Sequence, residues 1–163
     1  MALIDNRAQV IEERWVYPGT DGAYVAEAYS VVPADALALV PPSVRPLGVF
    51  VSAGTAVDVL ISYLNKLDLI AVEFPKFRDG RGFTMVRTLR TKYGFQGDIR
   101  AIGYVLPDQF APLVQCGFSS IVTSAEHPPE QWQQKAASLG GTPPKPLVQR
   151  MINQRARVPN SLE

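Results

Sequence analysis

Apolar residues along this chain follow two alternating patterns from about residue 47 onward. Continuous apolar runs at 48–52, 68–74, 99–105 and 118–123 have the length and the β-branched content of buried strands. Each run is followed by a segment in which apolar residues recur at helical spacing, and these segments are 55–67, 81–93, 107–116 and 129–139. Apolar strands that alternate with helices are typical of a parallel sheet covered on both faces. The pattern therefore predicts an α/β fold with a mostly parallel sheet.

The number of repeating units limits the choice of architecture. About four βα units fit between residues 47 and 139, whereas a closed TIM barrel needs eight. An open, doubly wound sheet of the flavodoxin or receiver type is therefore favoured, and a truncated TIM-barrel-like arrangement is the alternative.

The N-terminal segment, residues 1–45, has a different pattern. Two short β-like runs at 14–17 and 24–32 are separated by residues 18–22, whose Pro, Gly and Asp content is that of a turn. A short helix at 34–40 is expected to end at the two prolines that follow it.

These patterns lead to a prediction for the domain organisation. Residues 1–140 are expected to form a single α/β domain, made of the N-terminal β-containing segment and the βα repeats of 46–140. Residues 141–163 are expected to be a Pro-rich linker with a basic tail.

Composition excludes several kinds of site. The 163 residues are 47% hydrophobic and 19% charged, which suits one folded domain. A single cysteine, Cys116, and a single histidine, His127, exclude an internal disulfide, an iron–sulfur cluster and a classical zinc site. The glycines after the second strand lack the third glycine of a dinucleotide fingerprint, and no phosphate-binding loop occurs. We therefore expect no cofactor and no metal.

The cellular location is predicted from the lack of a recognisable secretory signal or membrane helix in the sequence. Residues 1–14 contain acidic side chains and no long apolar core, unlike a secretory signal. The longest apolar runs are far shorter than the ~20 residues of a membrane helix. A cytoplasmic protein without membrane contact is predicted.

Charge is distributed unevenly although the net charge is only +1. Residues 76–100 contain seven basic and two acidic residues, a local charge of +5, so the rest of the chain carries −4. The overall balance does not favour nucleic-acid binding. The positive charge begins in the loop and helix start after the second strand, which contain Lys76, Arg78, Asp79, Gly80, Arg81 and Gly82. Glycines that permit close backbone approach, and free amides at a helix start, are typical of an anion site.

Three further arginines extend this candidate site: Arg87, Arg90 and Arg100. Arg90 falls inside the apolar arc of its predicted helix, where an unpaired guanidinium would be costly. It therefore needs either an internal carboxylate, for which Glu73 and Asp79 are the nearest in sequence, or a ligand or partner.

Two carboxylates are candidates for acid–base chemistry. Glu73 ends the second strand, and Asp108 with Gln109 opens the third helix, where Asp108 also suits a helix cap. Both positions fall at the carboxyl ends of predicted strands, where parallel sheets bind ligands.

A series of motifs resembles a known family. The sequence Phe-Pro-Lys-Phe-Arg-Asp-Gly-Arg-Gly-Phe at residues 74–83 is similar to the signature of an uncharacterised bacterial family, domain of unknown function family 934. The resemblance runs from about residue 46 to 122 and includes further short motifs at 89–90, 93–95, 97–101, 105–109 and 116–118. The chain departs from the family at Tyr104, where an aspartate is usual, and after residue 139.

The resemblance implies a role in sulfate assimilation. The family is commonly encoded beside the haem subunit of assimilatory sulfite reductase and is often labelled oxidoreductase. It implies an accessory protein that binds the sulfite reductase haemoprotein through the basic loop and helix, with the redox chemistry in the partner. Two alternatives stay open: a protein or enzyme that binds an oxyanion or nucleotide at the same loop, and a structural domain with an internal arginine–carboxylate network. The sequence specifies neither the oligomeric state nor any turnover.

Overall fold

The computed structural model describes residues 1–76 and 79–138. The strands are β1 (Leu3–Asp5), β2 (Val10–Ile11), β3 (Ser30–Pro33), β4 (Leu47–Ser52), β5 (Leu69–Phe74), β6 (Asp98–Gly103) and β7 (Ser120–Val122). The α-helices are α1 (Asp58–Ile61), α2 (Gly80–Thr91), α3 (Phe110–Cys116) and α4 (Pro129–Ala137), with 3₁₀ helices at Ala34–Leu39, Leu64–Lys66 and Pro107–Gln109. Arg78, the end of the helix predicted over 129–139 and the predicted tail 141–163 lie outside the described residues.

All seven strands belong to one sheet with the order β2-β1-β7-β6-β5-β4-β3. The five strands β3 to β7 are parallel and lie side by side in chain order, whereas β1 pairs antiparallel with both β7 and β2. The predicted α/β fold with a mostly parallel sheet is confirmed, and it is consistent with a doubly wound α/β fold. Strands that neighbour one another in chain order also occur in parallel barrels, but here β2 and β3 are the edges of an open sheet.

The main core lies between one face of the sheet and the helices. Successive side chains of a strand point to opposite faces, so Ile70, Val72 and Phe74 of β5 point together toward the helices. The helical side chains buried in the same core are Leu37, Leu60, Met85, Val86, Leu89, Phe110, Leu113, Val114 and Trp132. We call this the helical face of the sheet. The opposite face, which carries Leu69, Ala71 and Glu73, is called the inner face.

The segment between β2 and β3 crosses the inner face. Ile11 of β2 pairs with Leu3 of β1. Val16, five residues after Ile11 in the chain, forms a β-bridge with Ser30 of β3. Five residues reach at most about 18 Å. In a flat sheet, β2 and β3 would be about 29 Å apart, six strand spacings of about 4.8 Å. The sheet must therefore curve around its inner face.

Several elements are shorter than the sequence pattern predicts. The helix predicted over 55–67 forms only α1 and a 3₁₀ turn, since Ser62, Tyr63 and Asn65 have low helix propensity. The β-like run at 24–32 becomes a strand only at Ser30–Pro33. Its earlier apolar residues, such as Tyr24 and Val25, are exposed.

Candidate functional site

The start of α2, the centre of the predicted anion site, is occupied by a carboxylate of the chain itself. Asp79 is the N-cap residue, and its Oδ1 accepts hydrogen bonds from the main-chain amide (3.2 Å) and Nε (2.9 Å) of Arg81. Its Oδ2 accepts a third from Arg81 Nη2 at 2.8 Å. Hydrogen bonds from Arg81 hold the pKa of Asp79 below its ordinary value. The positive end of the helix dipole is thus already matched by a buried anion.

The two glycines of this helix start have different surroundings. A Cβ on Gly82 would lie 2.5 Å and 2.7 Å from ring atoms of Phe74, so this glycine allows α2 to pack closely on β5. Among the described residues, apart from the chain neighbours of Gly80 and the backbone of α2, no atom lies within 4 Å of a Cβ built on Gly80. Close approach at Gly82 therefore serves helix packing, whereas Gly80 has no comparable contact with the described part of the chain.

Cations remain exposed along α2 and in the loop before it. Lys76 is exposed in that loop, and Arg81, Arg87 and Lys92 are exposed on the helix or at its end. The side chain of Arg81 is 63% exposed even while it pairs with Asp79. No acidic residue lies within α2 itself. We call Arg81, Arg87 and Lys92, which are spread around the exposed side of α2 and not aligned in one row, the α2 basic face.

Arg90 has an internal role instead. Its buried guanidinium donates hydrogen bonds to three main-chain carbonyls, those of Gly117 (3.0 Å), Phe95 (2.7 Å) and Gly97 (2.8 Å). It also lies over the Phe95 ring at 5.8 Å. Burial lowers the pKa of Arg90. The internal partners are therefore carbonyls of the two loops that follow α2 and α3, in place of the expected carboxylates Glu73 or Asp79.

Arg100 lies on the other side of the sheet from α2. It projects from β6 into the inner face, where Nη1 donates to Glu13 (2.8 and 3.0 Å) and to the Tyr17 hydroxyl (2.7 Å). Nη2 donates to Asp98 at 3.0 Å, and Nε donates to Ser120 at 2.9 Å. All three guanidinium nitrogens have partners, so the positive charge of Arg100 is satisfied within the chain.

Burial and neighbouring charges shift the pKa of Arg100 in opposite directions. Burial alone would lower the pKa of Arg100, but the hydrogen bond to Tyr17 and the charges of Asp98 and Glu13 outweigh it, and the pKa is raised. Burial raises the pKa of Tyr17 to about 12, although Arg100 works against that change. At neutral pH the network therefore contains a neutral tyrosine and a fully charged arginine.

The remaining predicted residues are dispersed. Glu73 points into the inner face in the same row as Ser52 and Ile102, away from α2. The carboxylate of Asp108 is exposed and forms an ion pair with Lys135 of α4 at 2.7 Å. Gln109 Oε1 accepts from the Leu106 amide at 2.8 Å, so Gln109 supplies the cap expected of Asp108.

The structure thus separates the predicted site residues into three groups. Lys76, Arg81 and Arg87 are exposed together with Lys92, which was not among the predicted site residues. Arg90 is buried, and Arg100 and Glu73 belong to the inner face. Sequence reasoning missed Glu13 and Tyr17, the partners of Arg100. The available signal was that Glu13, Trp15 and Tyr17 occupy every second residue next to the predicted β-like run 14–17 and so share one side of an extended segment.

Residues 1–76 and 79–138 contain neither a metal-binding cluster nor a membrane-spanning helix. No cluster of three or more His, Cys, Asp or Glu side chains in this part of the chain could hold a metal ion. Within the same residues, no helix combines the length and the apolar character needed to cross a membrane.

Comparison with known proteins identifies the family of the chain. Residues 48–142, more than half of the chain, match the family described as "Bacterial protein of unknown function (DUF934)". Among curated proteins, none matches this sequence.

Proposed function

This chain belongs to the DUF934 family of bacterial proteins of unknown function, and from that premise we propose that it is an accessory protein that binds a protein partner through the α2 basic face. The observation that carries the proposal is the exposure of Arg81, Arg87 and Lys92 along one helix that contains no acidic residue. Such a surface attracts an acidic patch on another protein and orients the encounter.

The spacing of the cations favours a protein surface over a small anion. Arg81 and Lys92 are eleven residues apart, which is about 16 Å along a helix axis. A tetrahedral oxyanion is only a few ångströms across and needs donors that converge. Cations spread over such a distance suit several separate carboxylates of a partner.

The oxyanion alternative has less support at this position. A free helix start would offer unpaired amides to an anion, but Asp79 already accepts from Arg81 there. An incoming oxyanion would have to displace or lie beside that buried carboxylate, at an electrostatic cost.

The partner we propose is the haemoprotein subunit of assimilatory sulfite reductase, which the family resemblance implies. In that assignment the redox chemistry belongs to the partner, and this chain supplies a binding surface. The role would be accessory and not catalytic.

The proposal is tested by co-purification of the two proteins at low and high salt. We expect association at low salt that weakens as ionic strength rises, because exposed charges are screened. The variant Arg87→Glu/Lys92→Glu is expected to lose most of the association, since it reverses two cations without touching the Asp79–Arg81 pair.

The single variants Arg87→Glu and Arg7→Glu change the net charge equally and form the matched comparison, since Arg7 is an exposed cation in the turn between β1 and β2. We expect Arg87→Glu to weaken association and Arg7→Glu to bind nearly as well as the unchanged protein. Absence of association at low salt, or equal loss in the Arg7 and α2 variants, would refute the proposed role of the α2 basic face.

A further inference from the structure

The inner face contains a cavity that the proposed function does not use. Its volume is about 550 Å³, within the roughly 300–1,000 Å³ of ligand sites in proteins. The apolar residues that line it are Met1, Ala2, Leu3, Phe50, Ile102 and Val122, together with the main chain at Gly103; Glu13 and Tyr17 add polar groups. We call it the inner-face pocket.

The pocket lies where parallel sheets bind ligands. Ile102 and Gly103 end β6, Val122 ends β7, and Phe50 lies near the end of β4. Ligands of α/β proteins bind beyond the carboxyl ends of such strands. The curvature of the sheet brings these strand ends around one concavity.

The floor of the pocket is already organised. Arg100, aligned with Ala71 and Ser120 across the sheet, lies one row below Ile102. Its contacts with Glu13 and Tyr17 fix the polar edge of the cavity. A floor that is already ordered lowers the conformational entropy that the protein must lose when a ligand binds.

The charges around the pocket favour a positive ligand. Arg100 contributes one positive charge, and the carboxylates of Glu13 and Asp98 contribute two negative charges. Glu73 adds a third carboxylate in the row of Ile102, and its Cγ would lie 3.3 Å from a Cβ on Gly103. The α-amino group of Met1, which also lines the pocket, adds a second positive charge. The three carboxylates still exceed the two cations, so the local surplus is negative, which would repel an anion and attract a cation.

The walls favour an aromatic ligand body. Phe50 and Tyr17 present ring systems, and aromatic rings interact favourably with flat apolar molecules and with cations. Leu3, Ile102 and Val122 supply aliphatic contacts. A second cavity, of about 580 Å³ between the α1 and α2 ends, has no ionisable Asp, Glu, Lys, Arg or His among its lining residues.

We propose that the inner-face pocket binds a flat organic cation, whose aromatic body lies between Phe50, Ile102 and Val122 while its positive charge faces Glu13 and Glu73. This is a binding site separate from the α2 basic face, because the sheet lies between the two.

Two dyes of opposite charge test the proposal. Berberine is a flat aromatic cation and 1-anilinonaphthalene-8-sulfonate is an aromatic anion, and both fluoresce more strongly in apolar surroundings. We expect saturable binding of one berberine per chain, with affinity at least about tenfold higher than that of the sulfonate, since one favourable charge interaction of about 1.4 kcal/mol gives this ratio.

Three variants locate the binding. Ile102→Lys places a cation in the pocket and is expected to weaken berberine binding about tenfold or more. Glu73→Gln keeps the shape of the side chain and is expected to weaken it several-fold while leaving the sulfonate unchanged or improved. Val59→Lys changes an exposed residue of α1 and is expected to bind berberine as the unchanged protein does.

Circular dichroism and urea unfolding establish that each variant is folded, and Glu73→Gln provides the decisive comparison if Ile102→Lys does not fold. Non-saturable berberine binding, equal affinity for both dyes, or unaltered binding in Glu73→Gln would overturn the proposal. The proposal would also be overturned if berberine binding is lost as the protein forms dimers at higher concentration, because a second copy of the chain would then occupy the pocket.

Discussion

Arg100 donates two hydrogen bonds to the carboxylate of Glu13, a residue 87 positions earlier in the chain. This contact ties the segment that crosses the inner face to the middle of the sheet. Tyr17 joins the same pair, since its hydroxyl accepts from Arg100 and donates to Glu13 at 3.0 Å. A polar network therefore holds the crossing segment against the inner face, whereas the helices pack on the helical face through apolar contacts.

Removal of Glu13 should destabilise the fold. Glu13→Ala leaves Arg100 buried with Asp98 as its remaining anion, and we expect the free energy of unfolding to fall by about 1–3 kcal/mol. The value is below that for a fully buried pair because the Glu13 side chain is 35% exposed. Urea unfolding followed by circular dichroism measures the change.

The neighbouring residue provides the control for that experiment. Glu12→Ala removes an exposed carboxylate and should change stability by less than about 0.5 kcal/mol. If the two variants unfold at the same urea concentration, the Glu13–Arg100 pair contributes nothing measurable.

Arg90 should be required for stability and not for partner binding. Arg90→Met keeps an unbranched apolar stem but leaves the carbonyls of Phe95, Gly97 and Gly117 without their shared donor. We expect a loss of about 3–5 kcal/mol in unfolding free energy, as for removal of one side of a buried charged contact.

Arg87→Met on the exposed side of the same helix is the matched comparison, with an expected change under about 0.5 kcal/mol. The two variants should differ in the co-purification experiment: Arg87→Met weakens association, and Arg90→Met retains it wherever the protein is folded. Equal stability of the two variants would contradict the structural role of Arg90.

Cys116 should be unreactive in the folded protein. Burial raises the pKa of its thiol from 9.0 to about 12, and the thiol donates a weak hydrogen bond to the Leu113 carbonyl at 3.3 Å. At pH 8 we expect Ellman's reagent to modify the folded chain at least about 100-fold more slowly than the urea-unfolded chain, because modification requires opening of the core.

The same raised pKa predicts an alkaline loss of stability. The unfolded thiol releases its proton from about pH 9, while the folded thiol keeps it until about pH 12. The contribution of the protonated thiol to the free energy of unfolding should therefore be fully present below pH 9. That free energy should decrease as the pH rises toward 12. Tyr17 adds to the decrease from about pH 10. Cys116→Ala should reduce the slope between pH 9 and 10, and an unchanged slope would contradict the raised thiol pKa.

The sequence by itself determined the repeating part of the fold. The apolar runs that became β4, β5, β6 and β7 were found within one or two residues, and α2 matches its predicted position closely. Buried parallel strands are continuous in hydrophobicity, and α2 carries its apolar residues at helical spacing. Such patterns of apolar residues can be recognised in the sequence without knowing what packs against the strand or helix.

Tertiary structure alone decided which charged residues belong together. Arg81, Arg90 and Arg100 follow one another closely in the chain. One pairs with Asp79 at the surface, one is buried against carbonyls, and one reaches through the inner face to Glu13. Arg81 finds its partner two residues away, and Arg90 depends on how two loops fold around its helix. Arg100 depends on strand alternation and on Glu13 from a distant segment. Because charge interactions act through space and not along the sequence, the run of basic residues predicted a positive region but not its division between the two faces of the sheet.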